Sequence, residues 1–425
     1  MTGVICLALV SVLLIHLGKW RLFAPTTVIG IFNLLFLVTK FLWNSAYNEP
    51  LLLSCTESEV TSATLALTAS LLIGILILVF LRPLLGPKVL GLAVNKKLDL
   101  LTRANPLIFA VPIITTSVYL AFQNGIQFLL NPVLNRKTIE ANGAAYAYAV
   151  ALACLLLVGV KIGDAFAAKQ YNKSLIVSLL SVVPYMLLSG YASTPLLFMI
   201  GAGGSYVIQK KLYLVWVPFV LFPLILLYAT IHNTLRQTWA TGDAVRIADF
   251  VSNEIDLRDA VPRLFNRLDY LEMLSLGYDS FKNSESEGLV KFAEVLIQPI
   301  PRSIWPNKPY NFSSEMSRRV IPDVVHLIGS TANFNALNEF VRAIGEAGGI
   351  IVFGLFLGVL LSVADLIYAG TVLFSAYRLF YLVVIFPYIW IGYPAGMIND
   401  FALPYVAISL LFLTFLAKIN KAFNF

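Results

Sequence analysis

The sequence predicts an all-α, polytopic membrane protein with about eleven transmembrane helices and one large, partly helical polar loop. Three observations lead there. The chain of 425 residues is 59% hydrophobic and 12% charged, about half the charge of an ordinary soluble domain. Apolar runs of roughly 20 residues, enough to cross a bilayer, recur along it between short polar turns. One polar stretch, 233–346, is far longer than a connection between two helices requires. The net charge of +7 is spread over short turns, so it speaks of topology and not of a nucleic-acid surface. Three cysteines (Cys6, Cys55, Cys154) and three histidines (His16, His232, His326) lie far apart, implying neither a disulfide framework nor a His/Cys metal site. No metal and no cofactor is expected.

The first apolar run, 2–17, has no basic residue before it, so it reads as a short span and not as a signal peptide. Lys19 and Arg21 separate it from 22–43. The turn at 44–59 carries Glu49, Glu57 and Glu59 but no Lys or Arg, and 60–81 returns through the membrane. A strongly basic connection follows, with Arg82, Lys88, Lys96, Lys97 and Arg103. Runs at 106–123 and 144–160 flank a turn holding Arg136 and Lys137, and Lys161, Lys169 and Lys173 mark the next turn. The runs 174–188 and 195–208 form a helical hairpin, and Lys210 and Lys211 precede 212–232. Beyond the polar stretch lie 348–368, 379–394 and 401–416, with Arg378 before the second and Lys418 and Lys421 after the third. The chain thus divides into a bundle at 1–232 (about eight helices), the loop at 233–346, and a C-terminal group at 347–425 (about three helices).

The basic turns (19–21, 82–103, 161–173, 210–211, 378 and 418–421) all fall on one face of this arrangement. By the positive-inside rule that face is cytoplasmic, the C-terminus is inside and the long loop faces out.

Chemistry is expected in the loop. Its cations are mainly arginines: Arg236, Arg246, Arg258, Arg263, Arg267, Arg302, Arg318, Arg319 and Arg342. The cytoplasmic turns use mainly lysine. A guanidinium grips phosphate oxygens at two points where an ammonium is a point charge, so the outer arginines suggest phosphate or diphosphate recognition. The bland alternative pairs them with the loop's own carboxylates, Asp256, Asp259, Asp269 and Glu272 among them. Residues 256–276 read as an amphipathic helix, with Leu257, Leu264, Leu268, Leu271 and Leu274 on one stripe and Arg263 and Arg267 on one face. That helix could equally lie at a lipid interface.

The segment 299–309, Pro-Ile-Pro-Arg-Ser-Ile-Trp-Pro-Asn-Lys-Pro, holds four prolines and is neither a regular helix nor a central strand. It is a stiff backbone presenting Arg302, Trp305 and Lys308 beside the bilayer, which suits an anionic, lipid-borne substrate. Trp305 could stack on a sugar ring or fix the proline segment. His326, between Val325 and Leu327, reads as an ordinary, partly buried histidine. Where the chain returns to the membrane, Glu339, Arg342 and Glu346 recur at helical spacing. Ionisable groups at that depth usually face a polar cavity, although an intrahelical Glu339–Arg342 or Arg342–Glu346 pair would also explain them. Gly345, Gly348, Gly349, Gly354 and Gly358 allow close helix packing or close approach of a ligand.

At these residues the sequence resembles a known family. Residues 300–309 are similar to the Pro-Arg-x-x-Trp-Pro-x-Lys-Pro signature of Wzy-type polysaccharide polymerases. Gly345–Glu346, Phe353–Gly354 and Gly358 resemble that family's return to the membrane. Arg263-Leu-Phe-Asn-Arg267-Leu-Asp269 resembles its basic helix. The resemblance implies a GT-C-like glycosyltransferase of the bacterial inner membrane. Such enzymes join oligosaccharide repeat units carried on undecaprenyl diphosphate at the periplasmic face, without a required metal. It implies contacts to the diphosphate from Arg302, Arg263 and Arg267, with Lys308, Arg136, Arg258, Arg318 and Arg342 as further candidates. A base for the acceptor hydroxyl would be Glu346, then Glu339, then His326. Membrane lipids, a chain-length regulator and a flippase are the implied partners. An O-antigen ligase shares this topology and donor. A flippase for lipid-linked sugars would instead show mid-span charges and internal repeats.

Overall fold

The computed structural model describes residues 1–47, 55–85, 104–125, 134–135, 145–170, 172–189, 193–220, 270–290, 305, 307, 312–320, 334–372, 374–395 and 402–422. Among them all regular structure is helical. Helix α1 spans Thr2–Leu17 and α2 spans Pro25–Phe32, with Pro25 setting the first turn. A π-helical turn, Asn33–Val38, joins α2 to α3, Thr39–Tyr47. Helix α4, Glu57–Leu84, opens on a capping box: Thr56 accepts from the Glu59 N–H and the Glu59 carboxylate accepts from the Thr56 N–H. Next come α5, Pro106–Asn124; α6, Ala145–Ala168; α7, Lys173–Leu188; and α8, Ser193–Gln209. The polar stretch contributes α9, Tyr270–Lys282; α10, Phe312–Val320; and α11, Ala336–Ile344. Helix α12 spans Glu346–Thr371 and α13 spans Ser375–Phe380. A second π-helical turn, Tyr381–Ile385, leads into α14, Phe386–Ala395, and α15 spans Ala402–Ala422.

Among the described residues five helices are long and apolar enough to cross a membrane: Pro25–Ala46, Glu57–Leu84, Pro106–Asn124, Ala149–Ala168 and Glu346–Thr371. Thr2–Leu17, Lys173–Met186 and Ser375–Ile389 are apolar but shorter. Most apolar runs in the sequence therefore lie on helices, and the run at 212–232 lies largely outside the described residues. The run ending at residue 160 is one correction. Helix α6 continues to Ala168, so Lys161 and Asp164 sit within it and not in a turn. Asp164 is accommodated there because it accepts hydrogen bonds from Arg378 Nε at 3.0 Å and from Ser205.

In space the chain forms two compact units, each assembled from three segments. Unit 1 comprises Met1–Gly91, Phe265–Tyr368 and Ile385–Val406, and unit 2 comprises Leu92–Leu264, Ala369–Val384 and Ala407–Phe425. Within unit 1, α4 and α12 run parallel, with Ser70 Oγ on the Ile350 carbonyl at 3.1 Å and Arg82 on Asp365 at 3.1 Å. Gly354 and Gly358 answer the question left by the sequence in favour of helix packing. A β-carbon on Gly354 would lie 2.7 Å from the Ser70 carbonyl oxygen, and one on Gly358 2.6 Å from Ile77 Cβ. In unit 2 the same device seats α6 on α8, where a β-carbon on Gly163 would lie 2.2 Å from the Ala202 carbonyl oxygen.

Candidate functional site

The charges of unit 1 sort to opposite ends of its helices. Lys19, Arg21 and Arg82 gather around Asp365 near the C-terminal end of α12. At the other end the amino group of Met1 meets Glu57 at 3.2 Å, and Asp279, Glu59 and Glu346 act on Lys282. The described part of the polar stretch folds onto this second, acidic end.

Helix α9 anchors that part. Leu271, Leu274, Tyr278 and Phe281 make one buried stripe at helical spacing. Leu271 and Leu274 belong to the expected amphipathic helix, whose earlier residues 256–269 lie outside those described. Tyr270 meets Phe32 and Phe36 edge-on, with ring centroids 5.3 and 5.8 Å apart. Glu272 pairs with Lys40 of α3 at 3.3 Å, both side chains being fully buried. Cys55 contacts the Glu272 carbonyl, and its thiol is pushed up to about 12 by burial first and by Glu272, Glu59 and Asp279 after it.

Arg342, on α11, is 4% exposed. Its Nε and Nη2 donate to Glu287 Oε2 at 2.7 and 2.5 Å, and Nη2 also donates to Glu315 Oε1 at 2.6 Å. Arg319 of α10 donates to the other oxygen of Glu287 at 3.2 Å. The Phe281 ring lies under both cations, 5.8 Å from the Arg342 guanidinium carbon and 5.0 Å from that of Arg319. Burial opposes the charge of Arg342, but the hydrogen bonds to Glu287 and Glu315 outweigh it and its pKa is raised. The same turn closes α11: the N–H groups of Glu287 and Gly288 donate to the carbonyls of Arg342 and Ala343, each at 3.0 Å. Gly288 achieves this with φ +83°.

Gly345, at φ +86°, ends α11, and Glu346 begins α12. This corrects the reading of Glu339, Arg342 and Glu346 as one helical face, because the break takes Glu346 off it. Glu346 is exposed and accepts a hydrogen bond from Tyr278. The Tyr278 hydroxyl is pushed up, by burial first and then by Glu346. Lys282 is also raised, by its hydrogen bond to Asp279 at 2.5 Å. Glu339 is 5% exposed on α11, within electrostatic range of Tyr388.

Of the residues singled out in the sequence, Trp305 is exposed, Arg318 is exposed on α10, and Glu339, Arg342 and Glu346 stand as above. Arg302, Arg263, Arg267, Lys308, Arg136, Arg258 and His326 lie outside the described residues. Arg342 is committed to two carboxylates and ties three segments together, whereas Glu346 is a reachable proton acceptor. Sequence reasoning passed over Tyr278, Glu287, Glu315 and Lys40. Only Lys40 carried a signal, as a lone cation in an apolar span. Among the described residues no group of His, Cys, Asp and Glu is arranged to hold a metal ion. Compared with known protein families, with curated proteins and with solved structures, the chain matches none.

Proposed function

We propose that this chain is a Wzy-type polysaccharide polymerase of the bacterial inner membrane. In this reading it joins undecaprenyl-diphosphate-linked oligosaccharide repeat units at the periplasmic face, with about eleven spans and a cytoplasmic C-terminus. The observation that carries it is the proline-framed signature at 300–309, set in a long arginine-rich stretch of a helical membrane protein. The acidic end of unit 1, onto which the described helices α9, α10 and α11 fold, supports it by supplying an exposed carboxylate where the chain returns to the apolar helices.

The chemistry follows from the residue types. The acceptor hydroxyl oxygen forms a bond to the anomeric carbon of the donor. The bond from that carbon to the lipid diphosphate breaks, and the electron pair leaves with the diphosphate. Glu346 takes the hydroxyl proton, with Glu339 and His326 the next candidates. Charge grows on the diphosphate as the bond breaks, so Arg302, Arg263 and Arg267 would stabilise the transition state more than the ground state. Arg342 is assigned to holding the stretch together, since its donors already meet Glu287 and Glu315.

The test uses purified full-length protein in nanodiscs with a lipid-diphosphate-linked repeat unit, followed by gel. Wild type is expected to give a ladder, and Arg302→Ala and Glu346→Gln to lose it while keeping their melting behaviour. Transfer only when lipid A core is supplied would make the protein a ligase. Passage of lipid-linked sugar across a vesicle with no product would make it a transporter.

A further inference from the structure

Unit 2 contains a cavity of about 600 Å³ at the end of its helices where several basic turns meet. That volume lies within the range of about 300–1,000 Å³ usual for small-molecule sites, and it is more than a bare ion needs. Among the described residues Lys161 of α6 and Arg378 of α13 line it, with one carboxylate, Asp164. The carboxylate is already answered: Arg378 Nε donates to it at 3.0 Å, and Ser205 donates to it as well. A second Arg378 nitrogen, Nη1, donates to the Thr371 carbonyl at 3.2 Å, and its Nη2 makes no hydrogen bond among the described residues. Among the described lining residues there are thus two cations to one anion.

The backbone adds to this sign. Helices α5 and α7 both begin at the cavity wall, directly after Asn105 and Asn172. Each asparagine caps its own helix, accepting from Leu107 N–H at 3.1 Å and from Leu175 N–H at 2.8 Å. Two helix starts at one cavity turn two positive dipole ends towards whatever fills it. Gln209 supplies a different feature. Its Oε1 is buried in the wall and accepts no hydrogen bond among the described residues, so it is suited to a hydroxyl donor. Beside the cavity-lining residues of α6 and α7, Phe166, Ile176 and Val177 are 52%, 54% and 51% exposed, an apolar surface fit for acyl chains.

We propose that unit 2 binds a phosphate-bearing, hydroxylated headgroup in this cavity. Lys161, Arg378 and the starts of α5 and α7 meet the phosphate, and Gln209 takes a headgroup hydroxyl. A phospholipid and a soluble polyol phosphate share that chemistry. This site does not depend on the polymerase reading.

The test is native mass spectrometry of the purified full chain, titrated separately with phosphatidylglycerol, phosphatidylcholine and glycerol 3-phosphate. Wild type is expected to retain phosphatidylglycerol about tenfold better than phosphatidylcholine, a difference that corresponds to one decade in Kd. Lys161→Gln removes a charge and Ala168→Phe fills the cavity mouth without changing charge. Each is expected to lower retention about tenfold or more, while Lys210→Gln, on an exposed neighbouring lysine, leaves it unchanged. Selective binding of glycerol 3-phosphate with the same variant pattern supports the soluble source. Equal retention of the two lipids with no glycerol 3-phosphate binding overturns the site on wild type alone. So does a phosphatidylglycerol preference that survives whichever of the two variants folds.

Discussion

Arg342 and Glu346 are close in sequence, yet a glycine break separates them and they meet different surroundings. Arg342 is enclosed, with carboxylates from two other segments on its fork and an aromatic ring beneath it. Removing one partner of such a group leaves the others buried and uncompensated. Arg342→Ala is therefore expected to cost about 2–4 kcal/mol, less than a fully buried pair because Glu315 is partly screened by water. Arg342→Lys should recover only part of this, since an ammonium cannot reproduce the fork. Melting curves in detergent check both, and turnover per folded molecule should change little if Arg342 braces the fold. Tyr278 makes a pH-dependent prediction. Its folded pKa lies above the ordinary 10.0, so the folded chain holds this proton where the unfolded chain has released it. Its contribution is complete below about pH 10 and declines as pH rises from there towards the folded value. Tyr278→Phe should flatten that alkaline limb in a melting-temperature profile; an unchanged slope would show that the hydroxyl is not held as described.

Among the elements, α9 joins the polar stretch to the apolar helices. Its aromatic contacts with α2 and the adjoining π-helical turn are generic, but the Lys40–Glu272 pair is specific, because both charges are fully buried. Lys40→Ala should destabilise the protein by about 3–5 kcal/mol, while Lys40→Met combined with Glu272→Leu should come close to wild type. A double variant no better than the single one would mean that the pair sets the position of α9 and not merely its own neutrality. This element also marks where sequence reading stops. Hydropathy finds a helix by summing over many residues, so α1, α4, α5 and α12 were legible to within a few positions. It cannot see that Lys161 and Asp164 belong to α6, because a charged pair at the end of an apolar run looks like a turn until Arg378 arrives from the far end of the chain. The partners of Arg342, 55 and 27 residues away in sequence, have no spacing rule that reveals them.

At the level of the whole chain, each unit draws on segments far apart in sequence, so neither folds completely until the C-terminal helices are made. In unit 1 the result is a bundle with Lys19, Arg21 and Arg82 at one end and α9, α10 and α11 at the other. In a chain otherwise free of cysteine, Glu285→Cys should react with an impermeant maleimide from the outer face of intact spheroplasts. Lys19→Cys should react only in inverted vesicles. Labelling of both from one side would overturn the span assignment. The gathering of Lys19, Arg21 and Arg82 at one end of unit 1 was legible in the sequence because it follows short, local charge runs. The enclosed network at the acidic end was not, since it depends on which distant segments meet.

The turn at Glu287–Gly288 has one more consequence. It seals the last carbonyls of α11 with its backbone while its side chain holds Arg342, and Glu315 reaches the same guanidinium from the far side of residues 291–311. The peptide bonds between residues 290 and 312 are thus bypassed by noncovalent links on either side of them. A single protease cut there would yield two fragments that co-purify in mild detergent, held by these ion pairs, by the Phe281 contact and by the packing of α12 on α4. The same property would let the protein be expressed as two chains that find one another in the membrane.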